Sequence, residues 1–360
     1  MSNVKNTVCK ENYNQYIHRK ILIITVLALM TIVVALYALC SGSADIPIIE
    51  VVKALFGLGT EKNVVVTVGI RLPRVIMAII SGIGLALAGC VMQSILKNPL
   101  ASASTLGISQ GAAFGAAIAI TYLGAGQIMS NTTDAVSISN PYLTTICAFI
   151  GAMFVTLVVL GLSKYRNVTP ETMILAGVAL SSLFSGATAL LQYFSSDVQM
   201  AAIVFWTFGD LGRVSKKEIG VVTFVTGLSF IYFVFNRWNY NALESGEHTA
   251  TGLGVNVSRV RLLGMTIASI SAATIVSFVG IINFIGLIAP HIMRRFVGND
   301  YRFLLPASAI MGALLMLVSD TFARMIILPV ILPIGAITSF LGAPLFLYLI
   351  FKGVGQNAKN

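Results

Sequence analysis

The sequence predicts an all-α integral membrane protein with ten transmembrane helices, on three observations. Of its 360 residues, 57% are hydrophobic and only 10% are charged, and the mean hydropathy is +0.90. Soluble globular proteins carry about 25% charged residues and about 45–50% apolar ones. The apolar residues also fall in runs of about 20, the length of a helix that crosses a bilayer. This composition excludes a soluble enzyme and a disordered chain, and the unpaired spacing of the four cysteines excludes a disulfide scaffold.

Eight of the apolar runs are long enough to cross a hydrocarbon core about 30 Å thick. About 20 polar residues precede the first run, and no small-residue cleavage site ends it. We therefore expect a retained first helix rather than a cleaved signal peptide. The runs are 21–40, 75–96, 104–124, 142–163, 172–194, 219–235, 303–328 and 332–351.

The segment 262–293 is also apolar, but as one helix it would be about 48 Å long, too long for a single crossing. Arginines flank it on both sides, at 259 and 261 and again at 294 and 295. If cationic flanks mark the cytoplasm, both ends lie inside. The segment is therefore predicted to turn near Gly280 and to form two short helices, which brings the count to ten.

The distribution of Lys and Arg predicts that both termini are cytoplasmic. With the N-terminus inside, fifteen cations fall on the cytoplasmic side and eight on the outer side, in agreement with the positive-inside rule. The net charge of +10 is then an orientation signal and not a sign of nucleic-acid binding. We divide the chain into a cytoplasmic segment 1–20, one ten-helix domain 21–352 and a cytoplasmic tail 353–360.

Polar connectors join these spans. On the outer side, 41–74 contains a helical apolar pattern at 46–58, and 195–218 contains a short interfacial helix at 201–208. The outer loop 125–140 is rich in Ser, Asn and Thr. The largest cytoplasmic connector is 236–261.

Small residues recur every four positions in the third span, at Gly107, Gly111, Gly115 and Ala119. Such a stripe allows helix backbones to approach closely in lipid, so tight packing is one interpretation. The other is that small, weakly polar faces line a translocation path. The candidate wall residues are Ser109, Gln110, Gly111, Ser181, Ser182 and Ser185.

Charge within the spans is scarce. Only Asp320 and Arg324 lie inside an apolar run, four residues apart and so on one helix face. They are either a self-neutralising pair or a functional site. A chain of Asp, Glu and His across the spans is absent, which argues against a proton relay. The sequence also contains no HExxH, GxSxG or GxxxxGK[ST] motif, so we expect no catalysis and no ATP hydrolysis by this chain.

Two features suggest protein partners. Arg71 and Arg74 lie at the outer mouth of the second span, against the positive-inside bias, and can bind either lipid headgroups or carboxylates of an outer protein. In the cytoplasmic connector, the segment around Glu247, Ala250 and Gly254 has a small-residue face on a short helix. It is either a solvated connector or a helix that docks in a groove of a partner.

The sequence resembles the permease family of the vitamin B12 and iron–siderophore ABC importers (type II importers), from about residue 21 to residue 352. The motifs that carry the resemblance are RLPR at 71–74, KNPLASASTLGISQGA at 97–112, ILAGVAL at 174–180, GEHTATGLGVNV at 246–257, FIGLIAPHIMRR at 284–295, LLPASAIMGALLMLVSDTFAR at 304–324 and PIGAITSFLGAPLF at 333–346. Residues 1–20 and the 125–140 loop match no motif of the family.

The resemblance implies a ten-helix permease fold in a prokaryotic cytoplasmic membrane. Two permease subunits, identical or paralogous, pair around a central path above two ABC ATPases that use ATP-Mg, and an extracytoplasmic substrate-binding protein docks on the outer face. By resemblance, Arg71, Arg74 and Arg324 receive glutamates of that protein. The coupling residues are Glu247, Ala250, Leu253 and Gly254, and the connector Thr169, Pro170 and Glu171 lies near a cytoplasmic gate.

The resemblance also implies that this chain holds no cofactor or metal and moves a ferric siderophore, with haem or cobalamin as alternatives. A secondary carrier driven by an ion gradient is the competing class. The scarcity of carboxylates in the spans argues against it.

Overall fold

The computed structural model describes residues 2–42, 46–125, 140–162 and 169–357. This part of the chain is helical throughout, with turns and one isolated β-bridge between Ile327 and Val330. A π-helical segment, Val65–Arg71, leads into α4. The α-helices are α1 (Ser2–Cys40), α2 (Ile48–Leu55), α3 (Glu61–Val64), α4 (Leu72–Ile95), α5 (Ile108–Tyr122), α6 (Pro141–Leu162), α7 (Pro170–Phe194), α8 (Asp197–Phe208), α9 (Lys216–Phe235), α10 (Arg237–Glu244), α11 (Glu247–Gly252), α12 (Val257–Val279), α13 (Ile285–Val297), α14 (Tyr301–Met325) and α15 (Ile334–Asn357).

Seven stretches of the described chain are long and apolar enough to cross a membrane. They correspond to α1, the continuous helix from Glu61 to Ile95, α6, α7, α9, α12 and α14. Shorter apolar helices occur at Ile108–Tyr122, Asp197–Phe208 and Ile334–Leu349. The chain is therefore a multi-pass, all-helical membrane protein, and the count of ten crossings stays a prediction.

The helix α4 lies at the centre of the bundle and packs against α9, α12, α13 and α14. Glycines make two of these contacts close. A Cβ on Gly82 would overlap the backbone of Gly312 in α14, and a Cβ on Gly89 would overlap the carbonyl of Gly286 in α13. In contrast, most of α7 and α9 exposes large apolar side chains, which is the surface expected to face lipid or a partner subunit.

The predicted turn near Gly280 is present. Helix α12 ends at Val279, and Gly280 has φ +91° beside the carbonyl of Trp206, where a Cβ would overlap that oxygen. Gly264 in α12 lies near Ile95 at the far end of α4, whereas Gly286, after the turn, lies beside α4 near its middle. The segment is thus two helices, because only glycine fits the conformation at which the chain reverses.

Three predicted boundaries were wrong. Helix α1 begins at Ser2 and its apolar span at Tyr13, so the first helix starts before the predicted residue 21. The second span begins at Glu61, because the predicted connector continues through the π-helical turn into α4. The third begins at Ile108, because Gly107 has φ +83° and cannot belong to the helical stripe.

The predicted outer connectors form helices. The apolar pattern at 46–58 is α2, and the interfacial helix predicted at 201–208 is α8, which starts earlier because a capping box at Ser196 and Gln199 fixes its first turn. The predicted 125–140 loop lies, apart from its ends, outside the described residues.

Candidate docking and coupling sites

A buried ion cluster joins the start of α4 to the end of α14, which the predicted topology places on the outer side. Asp320 accepts hydrogen bonds from Arg74 Nε at 2.8 Å and from Arg324 Nε at 3.0 Å. Asp320 is fully buried, and both arginines are only 7% exposed. The i,i+4 pair predicted between Asp320 and Arg324 is present, and Arg74, 246 residues away in sequence, completes it. One carboxylate thus neutralises part of the charge of two guanidinium groups that burial would otherwise make costly.

Arg324 of this cluster and its neighbour Arg71 cap the carboxyl end of α1. Arg71 Nη1 donates to the carbonyl oxygens of Leu39 at 2.8 Å and Cys40 at 2.7 Å, and Arg324 Nη2 donates to that of Ala38 at 3.1 Å. The last four carbonyls of a helix have no intrahelical donor, and the helix dipole places negative charge there. The guanidinium groups therefore donate hydrogen bonds to the free carbonyls of α1 and place positive charge at the negative end of its dipole.

A cavity of about 660 Å³ opens beside this cluster, between α6, α8 and the α14–α15 connection. Its charged lining residues are Arg74, Asp210, Arg213 and Glu218. Asp210 links the cavity to the cluster, since its Oδ1 lies 3.2 Å from Arg74 Nη1 while its side chain remains 48% exposed. Three hydroxyl residues, Thr144, Thr145 and Ser277, also line it, and most of the remaining wall is apolar, including Phe205, Trp206, Phe208, Phe278, Val330 and Ile331.

The cytoplasmic connector forms two short helices, α10 and α11. Ala250 is fully buried and anchors α11 on the bundle, whereas Leu253 at its end is 70% exposed. Glu247 pairs with Arg261 of α12, with Oε1 and Nη2 2.5 Å apart. Gly254 has φ +82° and open space around its Cα. The end of α11 thus exposes one apolar side chain, on a helix that one ion pair holds to α12.

The candidate wall residues are not in one place. Gly111 faces α6, where a Cβ would overlap Val155 and the carbonyl of Gly151, so helix packing explains it. Ser109 is buried, and its hydroxyl has no described partner. Gln110 is half-buried on the same helix.

The candidate serines of α7 also differ in their exposure. Ser181 is half-buried, and its hydroxyl lies beside Gly107. Ser182 and Ser185 are exposed on α7. These two are the wall candidates that remain accessible from outside the subunit.

The gate candidates form the start of α7. Thr169 is the N-cap, and its side chain accepts a hydrogen bond from the backbone N–H of Thr172. Pro170 occupies the first turn, where a missing N–H costs nothing, and Glu171 is exposed there with a favourable sign for the helix dipole. These residues fix where α7 begins.

A family model described as the FecCD transport family matches residues 29–352. The chain belongs to the FecCD family. It is 53% identical over 342 residues, 95% of its length and 97% of the relative's, to a Methanocaldococcus jannaschii protein named as the ABC transporter permease MJ0087. It is 35% identical to the hemin transport system permease HmuU of Yersinia pestis, over 79% of this chain and 82% of that one.

A solved structure has a fold similar to that of this FecCD chain. It is described as an inward-facing conformation of a metal-chelate type ABC transporter, with a TM-score of 0.78 and 28% identity over 92% of this chain and 99% of the other. Further FecCD relatives are named as permeases for Fe(3+)-citrate, Fe(3+)-hydroxamate and vitamin B12. The family resemblance is confirmed: this FecCD protein is an ABC-type transport permease, and such subunits are not themselves catalytic.

The docking, coupling and gate residues of this FecCD chain stay predictions. Two residues that sequence reasoning passed over, Asp210 and Arg213, lie at the cavity. Arg213 belongs to the outer cations that break the positive-inside rule, which is the signal that could have found it. In the described part of the chain, no group of three or more His, Cys, Asp or Glu side chains could hold a metal ion.

Proposed function

We propose that this protein is the transmembrane permease subunit of an ATP-driven ABC importer that moves an iron chelate, a ferric siderophore first of all, across the cytoplasmic membrane of a prokaryote. The proposal rests chiefly on the connector that is predicted to be cytoplasmic in this FecCD chain. Its Leu253 is exposed on a short helix, as expected of a residue that a partner covers. The chain has no nucleotide-binding loop, so the ATPase is a separate subunit.

In this mechanism two permease subunits, identical or paralogous, enclose the path, and two ATPases bind ATP-Mg below them. Closure of the ATPases moves α10 and α11, and the subunit interface opens outward to receive cargo from an extracytoplasmic binding protein. Leu253 and Gly254 enter the ATPase, while Glu247 and Ala250 hold the helix on the permease. Both termini are cytoplasmic in this arrangement, which has ten crossings.

Docking of the binding protein through Arg71, Arg74 and Arg324 is part of the proposal. A guanidinium has five N–H donors, and Arg74 uses Nε and Nη1 within its own chain. A carboxylate of the binding protein would therefore share these groups with Asp320 and Asp210. Docking and the stability of the outer helix ends are then coupled.

The path itself is proposed to run along small, weakly polar residues. Ser182 and Ser185 are exposed on α7 and face outward from the subunit. Ser109, Gln110, Gly111 and Ser181 lie deeper and would contribute through the shape of the wall. Thr169, Pro170 and Glu171 would form the cytoplasmic gate, because they set the inner end of α7.

Haem is the second candidate cargo, because a hemin permease is 35% identical over most of both chains. Cobalamin is a third, since a relative named as a vitamin B12 permease is 34% identical. A carrier driven by an ion gradient is the remaining alternative, and the scarcity of carboxylates within the spans argues against it.

The test is uptake by proteoliposomes that contain the permease, its ATPase and its binding protein. We expect uptake of a ferric siderophore that requires ATP on the side of the membrane that carries the ATPase. This uptake should persist when an uncoupler is added. Hemin and cyanocobalamin, offered to the same vesicles, distinguish the three cargoes. Uptake that survives ATP depletion and collapses with the uncoupler would falsify the ABC mechanism.

A further inference from the structure

The outer cavity contains a guanidinium group that the chain itself leaves unsatisfied. Arg213 Nε donates to the carbonyl oxygen of Phe278 at 2.9 Å, and its guanidinium carbon lies 5.6 Å from the centre of the Trp206 ring. In the described ranges, no carboxylate oxygen lies within 4 Å of Arg213, and its two terminal nitrogens have no described hydrogen-bond partner. The side chain is thus held in place at Nε while its other donors remain available.

The two acids near Arg213 are engaged elsewhere. Asp210 Oδ1 accepts from the backbone N–H of Gly212 at 2.9 Å and pairs with Arg74. Glu218 Oε2 accepts from the backbone N–H of Ser215 at 2.6 Å in a capping box. The Arg213 side chain is exposed, and the chain atoms packed around its guanidinium lower its pKa to about 10 by partial desolvation, against the opposing influence of these acids. The guanidinium is therefore still protonated at neutral pH.

The surroundings favour an acidic partner. Lys216 and Lys217 follow in the first turn of α9, and both are exposed. Cations at this end of a helix oppose its dipole, so their placement adds positive potential at some cost to the helix. Three cations within five residues would attract an acidic surface and steer its approach.

The remaining wall is typical of a protein-binding hot spot. Trp206 is almost fully buried beneath Arg213, and Phe205, Val330 and Ile331 are exposed at the rim. Arg and aromatic side chains are over-represented at positions that dominate binding energy, especially in pockets ringed by apolar contacts. A volume of about 660 Å³ accommodates an inserted side chain and its neighbours.

We propose that Arg213 and this cavity receive an acidic side chain of the extracytoplasmic substrate-binding protein. The inference rests on the proposed function, in which such a protein docks on this face. It assigns a docking site separate from the buried arginines of α4 and α14. The carboxylate would accept from the terminal nitrogens of Arg213 while its apolar neighbours contact the rim.

The experiment measures binding of the substrate-binding protein to the permease–ATPase complex in nanodiscs, by surface plasmon resonance. We expect Arg213→Glu to weaken binding at least tenfold at low salt, and Arg213→Lys to weaken it less, because charge is kept and the fork is lost. The matched control, Lys62→Glu, also reverses an exposed cation but lies in α3 and does not line the cavity, so a change below threefold is expected. Ile331→Trp, which fills the mouth, should weaken binding without altering charge.

An Arg213→Glu complex that binds as wild type does, with Lys62→Glu equally unaffected, overturns the inference and leaves the importer proposal intact. A wild-type complex that neither binds the protein nor takes up cargo with ATP instead removes the proposed function. Loss of binding that appears in phosphatidylglycerol nanodiscs and not in phosphatidylcholine ones assigns the cavity to an anionic lipid headgroup and also overturns the inference. Rescue of Arg213→Glu by a Glu→Arg change on the binding protein supports it directly.

Discussion

The outer ends of the helices and the cytoplasmic connector use charge in opposite ways. Outside, Arg74, Asp320 and Arg324 are buried and bonded to one another, and Arg71 caps α1. Inside, the segment from Arg237 to Arg261 is built of short helices with one ion pair and an exposed leucine. The outer cluster fixes helix ends to each other, whereas the connector is anchored by buried residues such as Tyr240 and Ala250 and exposes Leu253 as a contact surface.

The difference shows that the function of a charged residue cannot be inferred from its place in the membrane topology alone. Arg71, Arg74 and Arg324, which are predicted to lie outside against the positive-inside rule, are parts of the folded interior, and contacts within the chain use much of their charge. Among the described cations of the predicted cytoplasmic side, Lys20 is buried and the others are half-buried or exposed. Four sets of substitutions test these two uses of charge separately.

The largest expected effect comes from Asp320→Ala in the outer cluster. Two buried guanidinium groups would lose their shared carboxylate, which costs about 3–5 kcal/mol for a buried pair. Thermal unfolding of the detergent-solubilised protein should show a large fall in Tm and a low yield. The control is Glu50→Gln, which removes an exposed pair with Lys53 and should change stability by less than about 1 kcal/mol. Equal Tm for the two variants would show that the cluster does not hold the helix ends.

The next effect is expected at the cytoplasmic face, from Leu253→Asp. The side chain is exposed, so Tm should hardly change, while association with the ATPase should fall at least tenfold because an apolar contact becomes a buried charge. Copurification and ATP-driven uptake measure this. Leu253→Met, which keeps the apolar volume, should retain both; wild-type association of Leu253→Asp would contradict the coupling assignment.

A smaller effect tests whether the outer arginines also dock a partner. Arg71→Lys and Arg74→Lys keep the charge and lose the forked donor geometry. If both roles are real, Tm and affinity for the binding protein fall together, by severalfold in affinity and more at low ionic strength. Lys62→Gln, an exposed outer cation, is the control. A fall in Tm with unchanged affinity at every salt concentration would leave these arginines with a structural role alone.

The smallest effect is expected from Arg261→Ala, which releases Glu247 from α12. A partly exposed ion pair contributes about 0–1 kcal/mol, so Tm should change little. Uptake should fall by a few fold, because α11 would transmit the motion of the ATPase less directly. Arg259→Ala, an exposed neighbour on the same helix, should leave uptake unchanged. Equal uptake by the two variants would mean that the ion pair does not tie the connector to the bundle.

Much of the fold could be predicted from the sequence because lipid imposes a strong length requirement on apolar runs. The break at Gly280 was predictable too, since arginines flank both ends of a segment too long for one crossing. Helix starts were not. Hydropathy ends where polar residues begin, whereas the backbone of α1 and of the helix before α4 continues through them.

The sites were predictable only in their local parts. The pair of Asp320 and Arg324 follows from an i,i+4 spacing, but Arg74 reaches Asp320 across 246 residues, and no periodicity encodes that contact. Arg213 lies in no motif, and its importance depends on the cavity that α6, α8 and the α14–α15 connection form around it. The burial of Arg71 likewise could not be predicted from the sequence, because its hydrogen-bond acceptors are the backbone carbonyls of another helix.

The capping of α1 has a consequence for how the protein is made. Helix α1 is translated before α14, and one of its caps, Arg324, follows Ala38 by 286 residues. At about 5–20 residues per second, this gap lasts roughly 15 to 60 s. During biogenesis the end of α1 must therefore be hydrated or held by the insertion machinery, and a nascent chain that stops before α14 cannot complete its outer surface.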